Sequence, residues 1–265
     1  MRPENLSVIV PAYNEERRLP LLLNRLDADM DGLLQGTSLR LTEVIVVDDG
    51  SNDATAQVVD DFEGLRGRLR LIRLGRNRGK GAAVRAGMLA ANGRCALLTD
   101  ADMSTPLGDV VALATELDRG RDLVMGSRAL PASRVLVHQP IYRELMGKGF
   151  NVLFRLLTGL PWRDTQCGFK LFRLDTTRPL FELQQIDGFA YDAELCLNAD
   201  RLGLRIADVP VRWTNDPQTQ VALVRSSLQM AIDLLRIARR ARRPLTDVAP
   251  HRDEAPSHAP SEGSS

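Results

Sequence analysis

The chain has 265 residues, a length that suits one large α/β domain or two small ones. Its net charge of +1 provides no overall electrostatic field that would favour nucleic acid as a partner. Two of its three histidines lie near the C-terminal end and its three cysteines lack metal-ligand spacing, so zinc sites and histidine-based catalytic triads are close to excluded.

Short apolar runs alternate with helical patterns along the first half of the chain. The runs predict strands at residues 6–13, 43–48, 68–74, 95–99 and 122–126. Helices are predicted at 15–28, with Asn14 as N-cap, and at 51–62, 79–91 and 107–118. Alternation at this spacing is typical of βαβ units, so we expect an α/β fold with a mainly parallel sheet flanked by helices.

The second half of the chain has a different character. An amphipathic stretch at 135–160 precedes a predicted strand (168–173), a helix (192–202), a strand (206–213) and a long C-terminal amphipathic helix (221–240). From Pro244 onward proline, serine, histidine and charged residues dominate, which predicts a disordered tail at 244–265. We expect one domain over 1–243, with halves at about 1–128 and 129–243.

Three polar clusters directly follow predicted strands: Tyr13-Asn14-Glu15, Asp48-Asp49-Gly50-Ser51 and Asp100-Ala101-Asp102. In open α/β sheets the carboxyl ends of the strands form the edge where ligands bind. Carboxylates of the second cluster can accept hydrogen bonds from a ribose or a base, although a plain turn capped by Ser51 would look the same. Those of the third suit a hard cation whose coordination shell a nucleotide diphosphate completes.

Basic residues near these clusters suit phosphate groups. Asn77-Arg78-Gly79-Lys80-Gly81 places glycines and a lysine at a predicted helix N-terminus, an end that favours anions. The pattern is not the longer P-loop motif, so ATP hydrolysis is not indicated. Arg128, after the fifth strand, and Arg143 could each hold a phosphate by a bidentate contact. Taken alone, each of these basic residues would equally suit a solvated surface.

Together these motifs resemble one family. Val10–Glu15, Val47–Ser51, Asn77–Gly81, Asp100–Asp102 and Gly126–Arg128 are similar in order and spacing to glycosyltransferase family 2 enzymes with the GT-A fold, over roughly residues 6–240. A narrower likeness, to the dolichyl-phosphate and polyprenyl-phosphate sugar synthases and most closely to the dolichyl-phosphate β-glucosyltransferases, is carried by three segments. They are Gly149-Phe150-Asn151, residues 164–172 (DTQCGFKLF) and the acidic pair in Tyr191-Asp192-Ala193-Glu194-Leu195.

The resemblance implies an inverting transfer of a hexose from a nucleotide-diphosphate sugar, with UDP-glucose favoured, to a polyprenyl or dolichyl phosphate. It implies Mg²⁺ or Mn²⁺ on Asp100 and Asp102, the acceptor phosphate on Arg128 and Arg143, and Asp164 either orienting the acceptor or supporting the metal site. Lys80 joins Asp102, Arg128, Arg143 and Asp164 as the expected catalytic set. The implied nucleotide-sugar contacts are Pro11, Ala12, Tyr13, Asn14, Glu15, Asp48, Asp49, Gly50, Ser51, Lys80, Gly81, Asp100 and Ala101.

The chain departs from its relatives at two places, and other functions stay open. Ser104 stands where the mannose synthases often carry glutamine, and residues 215–220 lack the Gly-Ser-Lys of many relatives. One alternative is a family 2 enzyme that acts on a sugar or protein hydroxyl, which would need a carboxylate base such as Asp164 or Asp192. A remote alternative is a non-catalytic module that binds anions or membranes through the arginines at 236–243.

A lipid acceptor would require the enzyme to reach a membrane surface. No run attains the roughly 18 apolar residues of a membrane span, and no apolar signal region precedes Leu6, so we expect a cytoplasmic protein that is peripheral on the inner face of the membrane. The expected membrane-binding segments are 145–157 and the helix that ends in the arginine cluster. Alternatives are that both helices simply pack on the sheet and that a membrane partner subunit presents the lipid. The expected apolar contacts are Leu145, Phe150, Val152, Leu153, Phe154, Leu156, Leu157, Ile232, Leu235 and Ile237.

Overall fold

The computed structural model describes residues 3–137, 140–215 and 223–241. Within these ranges the side chains of residues 141, 143 and 223–228 are not described. The predicted disordered tail at 244–265 therefore lies outside the described residues, as do Arg242, Arg243 and most of the segment 215–220.

Strands and helices alternate through the first half of the chain, as expected. They are β1 (Glu4–Ala12), α1 (Leu19–Leu33), β2 (Leu39–Asp48), α2 (Thr55–Asp60), β3 (Leu69–Arg73), α3 (Lys80–Ala90), β4 (Cys95–Leu98), α4 (Val110–Asp118) and β5 (Leu123–Ser127). The second half adds β6 (Arg134–Val137), α5 (Ile141–Thr158), β7 (Lys170–Arg173), α6 (Leu174–Leu183), α7 (Tyr191–Arg201), β8 (Ile206–Pro210), β9 (Arg212–Thr214) and α8 (Leu223–Ala241).

The central sheet has the strand order β3-β2-β1-β4-β7-β5-β8. Strand β7 runs antiparallel to both of its neighbours, β4 and β5, whereas the other pairs are parallel. Strands β6 and β9 form a small parallel sheet beside it. The prediction of a mainly parallel sheet flanked by helices is thus confirmed, and β7 inserts a strand from the second half of the chain into the middle of the first.

A hydrophobic core lies on each face of the sheet, and β1 shows why its sequence is apolar without interruption. Val8 and Val10 point into the core that contains α1 and α4, while Ile9 points into the core that contains α3, α6 and α7. A strand that is covered on both faces needs apolar side chains at odd and even positions alike. Phe154 of α5 and Ile237 of α8 are also fully buried in the second core.

Three local features differ from the sequence prediction. Helix α1 begins at Leu19 rather than Glu15, and Asn14 is not its N-cap: Asn14 has φ 55°, and its side-chain oxygen accepts the N–H of Asn52 (2.9 Å). The apolar run 206–213 is not one strand, because β8 and β9 join different sheets. Helix α6 was not predicted, since Pro179 lies inside it and a proline normally ends a helical pattern.

Gly87 lets helix α3 approach the sheet closely. A Cβ at this position would lie 2.5 Å from Cγ2 of Ile9 and 3.0 Å from Cγ2 of Val47, both stiff β-branched side chains. We expect Gly87→Ala to lower the free energy of unfolding by about 1–3 kcal/mol through overpacking. Gly32→Ala, in α1 with nothing within 4 Å, should instead raise it by about 0.5–1 kcal/mol. Urea unfolding of both variants tests this, and equal effects would contradict it.

Candidate active site

The parallel strands β1 and β2 end side by side, which brings the first two polar clusters together. The N–H of Asp49 donates to the carbonyl of Ala12 (2.8 Å), and the N–H of Asn14 donates to Oγ of Ser51 (2.9 Å). The N–H of Glu15 donates to Oγ1 of Thr55 (2.7 Å), so the two loops form one unit. A cavity of about 520 Å³ opens beside them, lined by Asn14, Glu15, Glu16, Arg17, Arg18, Asn52 and Asp53.

Asp48 and Asp49 organise backbone within this unit. Asp48 accepts the N–H of Ser51 (2.9 Å), and the two oxygens of Asp49 accept the N–H groups of Arg78 and Gly79 (2.8 Å each). Asp49 therefore ties the second cluster to the loop that precedes α3. Gly50, which stands between Asp49 and Ser51, has φ 71°. A Cβ at this position would lie 2.4 Å from a backbone atom of Arg76.

Lys80, the first residue of α3, reaches the third cluster. Its ammonium group lies 2.7 Å from Oδ1 of Asp100. Burial lowers the pKa of Lys80, but the charges of Asp100 and Asp192 outweigh burial and raise the pKa overall, so the lysine stays protonated. This arrangement places a fixed positive charge at a helix N-terminus, as the phosphate-binding prediction requires.

The segment 184–188 holds the N-terminus of α3 in place. The side-chain amide of Gln184 donates to the carbonyl of Gly81 (2.8 Å), and the carbonyl of Asp187 accepts the N–H of Ala82 (3.1 Å). A Cβ on Gly81 would lie 2.5 Å from the carbonyl oxygen of Ile186, so only glycine permits this approach. Sequence reasoning missed this segment, because its contacts join residues that are about one hundred positions apart.

The carboxylates around Asp102 fit a divalent cation. Burial, and then the charge of Asp100, raises the pKa of Asp102. Burial raises the pKa of Glu15 to about 7, with further contributions from Asp102 and Asp100 that oppose the lowering effect of Arg18. Negative groups that disfavour one another's ionisation would be relieved by a metal ion. No group of three or more metal-binding side chains occurs in the described part of the chain, and a cation on Asp100 and Asp102 stays a prediction.

Gly168 makes room for the carboxylate of Asp100. A Cβ at Gly168 would lie only 2.0 Å from Oδ2 of Asp100 and 2.5 Å from its Cγ. The segment 164–172 thereby supports the expected metal site through backbone contact. The motif could be found in the sequence, but the reason for its glycine could not.

Arg128 and Asp164, both in the expected catalytic set, form a bidentate ion pair. Nε and one Nη of Arg128 contact the two carboxylate oxygens at 2.7 and 2.8 Å, and the backbone N–H of Arg128 adds a third bond of 2.8 Å. Burial raises the pKa of Asp164, but Arg128 outweighs this effect and lowers it overall. Asp164 belongs to the same segment as Gly168, which borders the carboxylate of Asp100, so this pair lies on the same side of the site as the expected metal ligands.

A second ion pair, between Lys170 of β7 and Asp192 of α7, lies fully in the interior. Their charged atoms are 2.5 Å apart, and the exposed fractions of the side chains are 1% and 5%. The ammonium group also donates to the carbonyl of Cys167 (2.5 Å), whose own thiol is buried with a raised pKa and is not a nucleophile. Asp192 is therefore a buried structural carboxylate rather than a group that a substrate can reach.

The structure gathers nearly all the predicted nucleotide-sugar residues at this edge of the sheet. Pro11 and Ala12 are the last residues of β1, and Ala101 is buried between the two expected metal ligands. The backbone of Arg143 lies in α5, but its side chain is outside the described residues. The roles of Arg143 and of the predicted nucleotide-sugar residues as substrate contacts stay predictions.

Comparison with known proteins agrees with this geometry. Residues 7–181 match the model of Glycosyl transferase family 2. The chain belongs to this family. It is therefore a glycosyltransferase. A dolichyl-phosphate β-glucosyltransferase of Drosophila melanogaster is 42% identical over 240 residues, which are 88% of this chain and 74% of the relative. The human dolichyl-phosphate β-glucosyltransferase is 35% identical, with the same coverage of both chains.

Solved structures confirm the expected GT-A fold. Glucosyl-3-phosphoglycerate synthase of Mycobacterium tuberculosis, in complex with Mn²⁺, UDP-glucose and phosphoglyceric acid, superposes with a TM-score of 0.59. The match covers 89% of this chain and 80% of that one at 22% identity. The UDP complex of the same synthase gives a TM-score of 0.61 at 21% identity. At these identities the likeness concerns the fold.

Gly168 gives a test of the site that does not remove any charged group. We expect Gly168→Ala to push the Asp100 carboxylate aside and reduce glycosyl transfer about 100-fold, because displacements of about 1 Å in an active site have effects of this size. Binding of UDP in the presence of Mn²⁺, measured by calorimetry, should weaken in parallel. Gly147→Ala, in α5 with nothing within 4 Å of the added methyl, is the matched control. Unchanged Mn²⁺-dependent binding in Gly168→Ala would contradict the role of Asp100.

Proposed function

We propose that this enzyme transfers glucose from UDP-glucose to a polyprenyl or dolichyl phosphate, with inversion at the anomeric carbon and with Mg²⁺ or Mn²⁺ as cofactor. The observation that carries the proposal is the bidentate pair of Arg128 with Asp164, in the segment whose Gly168 borders Asp100, the partner of Lys80. In this proposal Arg128 binds the acceptor phosphate and Lys80 contacts the donor diphosphate. The relatives that are 42% and 35% identical are both named dolichyl-phosphate β-glucosyltransferases, which supports this acceptor and this sugar.

The proposed reaction forms a bond between an acceptor phosphate oxygen and the anomeric carbon of glucose while the bond from that carbon to the UDP diphosphate breaks. A β-linked product made from an α-linked nucleotide sugar requires attack from the opposite face, hence inversion. The acceptor oxygen is already anionic near neutral pH, so no general base is needed. The enzyme contributes positioning and charge compensation.

The charged side chains divide this work between the two substrates. Lys80, the first residue of α3 and in contact with Asp100, would compensate charge on the leaving diphosphate. Asp100 and Asp102 would hold the divalent cation, which when bound supplies further positive charge to that group. Arg128, together with Arg143, would bind the acceptor phosphate and reduce its repulsion from the diphosphate.

Asp164 and Asp192, the two candidate general bases, are both engaged in ion pairs, which supports a phosphate acceptor over a hydroxyl acceptor. A hydroxyl would need a carboxylate that is free to take its proton. Asp164 is held in a bidentate pair by Arg128, and Asp192 is paired with Lys170 in the interior. Neither carboxylate is placed to serve as that base.

A product assay tests the proposed function. Polyprenyl phosphate and Mn²⁺, incubated with a panel of nucleotide sugars, should give a glucosyl lipid phosphate with UDP-glucose, detected by mass spectrometry. Chelation should abolish the product, and Asp102→Ala should lower the rate by at least about 100-fold without unfolding the protein, because the metal would lose one of its two protein ligands. Full activity in excess chelator would refute the proposal that a metal ion is required. Transfer of glucose only to a sugar or protein hydroxyl would refute the proposal of a lipid phosphate acceptor.

Attachment to the membrane surface is the part of the proposal that concerns localisation. None of the helices in the described ranges is long and apolar enough to cross a bilayer. The predicted contact residues divide into two sets. Phe154 and Ile237 are fully buried, and Phe150, Leu153 and Leu157 pack partly against the core. The remaining set is exposed by 39–78%: Leu145, Val152, Leu156, Ile232 and Leu235.

The exposed set supports peripheral binding because it occurs on α5 and α8, which pack against each other, together with exposed basic groups. Tyr142 and Met146 of α5 are also exposed, by 53% and 37%. Lys148 is exposed by 74%. In the arginine cluster Arg239 faces solvent, whereas Arg240 lies 3.5 Å from Glu194. Apolar side chains flanked by cations are typical of interfacial helices.

Co-sedimentation with anionic liposomes tests this attachment. We expect the protein to bind at low salt and to be released by high salt, since each basic group near an anionic surface contributes about 1 kcal/mol. Replacing both Leu145 and Leu156 by serine should weaken binding about tenfold or more, from lost apolar burial. Leu21→Ser, at a side chain of α1 exposed by 59%, is the matched control. A protein that stays in the supernatant would point to a membrane partner subunit that presents the lipid.

A further inference from the structure

Arg128 is held on one edge and on one face of its guanidinium group. Asp164 occupies the Nε–Nη2 edge with two bonds of 2.7 and 2.8 Å. The ring of Trp213 covers one face, with Cζ of Arg128 5.3 Å from the ring centroid. This distance is within the range of about 6 Å at which a cation is attracted to an aromatic face. Sequence reasoning assigned no role to Trp213.

The remaining edge of the guanidinium is available to a ligand. An arginine side chain carries five N–H donors, of which Asp164 engages two. Across the described ranges no protein group bonds to Nη1 of Arg128. The Arg128 side chain is exposed by 28%. The Nη1–Nη2 edge of a guanidinium presents two parallel N–H donors, the geometry that a phosphate accepts.

Trp213 is itself fixed by the small sheet. Its side chain is buried, with 9% exposure, and it lies opposite Val135 where β9 pairs with β6. The preceding residue, Arg212, is anchored to Asp109 through its backbone N–H and its guanidinium. The N–H of Val211 donates to the carbonyl of Ser127, the residue before Arg128 (3.3 Å). The ring and the arginine are thus tied to the same end of β5.

We propose that Trp213 and Asp164 are positioning residues that hold the guanidinium of Arg128 with its Nη1 edge directed to the phosphate of the acceptor. The inference rests on the proposed function and names the residues that orient Arg128 toward the acceptor phosphate. A long, flexible arginine that is immobilised before binding loses less conformational freedom when the phosphate arrives. Because Asp164 fills one edge, the arginine can bind one phosphate through the other edge only.

Steady-state kinetics of four variants test the proposal. Trp213→Leu removes the aromatic face, and Trp213→Phe keeps one. Asp164→Asn weakens the edge contact. Asp31→Asn is its matched control, because Asp31 of α1 also forms a bidentate pair with an arginine, Arg68, through bonds of 2.9 and 3.1 Å. The readouts are the KM for polyprenyl phosphate at saturating donor, kcat, and the Kd for UDP-glucose with Mn²⁺.

Trp213→Leu and Asp164→Asn should raise the acceptor KM about tenfold, the effect of losing one well-placed contact, and leave the donor Kd within about twofold. Trp213→Phe should stay within about threefold of the parent, because a phenyl face retains part of the attraction. Asp31→Asn should leave both constants near those of the parent. An equal rise in Asp31→Asn, an unchanged acceptor KM in Trp213→Leu, or a lower acceptor KM in Asp164→Asn would overturn the proposal.

A binding measurement separates this inference from the proposed function. The chain has two tryptophans, so Trp162→Phe leaves Trp213 as the sole tryptophan, whose emission is excited selectively at the red edge of the absorption band. Farnesyl phosphate should change its emission in the Trp162→Phe protein, and Arg128→Ala in that background should abolish the change. Such binding without glucosyl lipid as a product would refute the proposed function alone. Product formation with normal acceptor kinetics in Trp213→Leu would refute the inference alone.

Discussion

The contact between Lys80 and Asp100 connects the N-terminus of α3 to the polar cluster after β4. Neighbouring segments of the chain support both residues. Asp49 bonds to the backbone N–H groups of Arg78 and Gly79 and so fixes the loop before Lys80. On the opposite side, the absence of a side chain at Gly168 leaves the space that the Asp100 carboxylate fills. The lysine and the carboxylate meet at 2.7 Å, and backbone contacts of Asp49 and Gly168 support them on either side.

Opposite charges alternate from this contact into the second half of the chain. The negative charges of Asp100 and Asp192 both raise the pKa of Lys80. Asp192 itself pairs with Lys170, and Arg128 pairs with Asp164. Removing one partner of a buried pair leaves an uncompensated charge, which costs about 3–5 kcal/mol. The Lys170–Asp192 pair, the most deeply buried, thus contributes structure, and the partly exposed charges of Lys80, Asp100 and Arg128 are the ones that we propose contact the substrates.

Strand β7 explains how residues far apart in sequence come to share one site. It runs antiparallel between β4, which leads to Asp100, and β5, which leads to Arg128. The segment just before β7 contains Asp164 and Gly168, so its position in the sheet brings the partner of Arg128 and the support of Asp100 to the same edge. Helix α7 then adds Asp192 to pair with Lys170 of β7.

The sequence by itself determined the alternation of strands and helices, the parallel first half and the polar clusters at strand ends, because apolar periodicity and turn residues are local signals. It placed Asp48 and Asp100 at one sheet edge and Lys80 at a helix N-terminus for the same reason. Only the tertiary structure decided that Asp164 binds Arg128, that Trp213 covers that arginine, and that Asp192 is buried against Lys170. These are pairings between distant segments, and sequence spacing contains no information about which acid will meet which base once β7 enters the sheet.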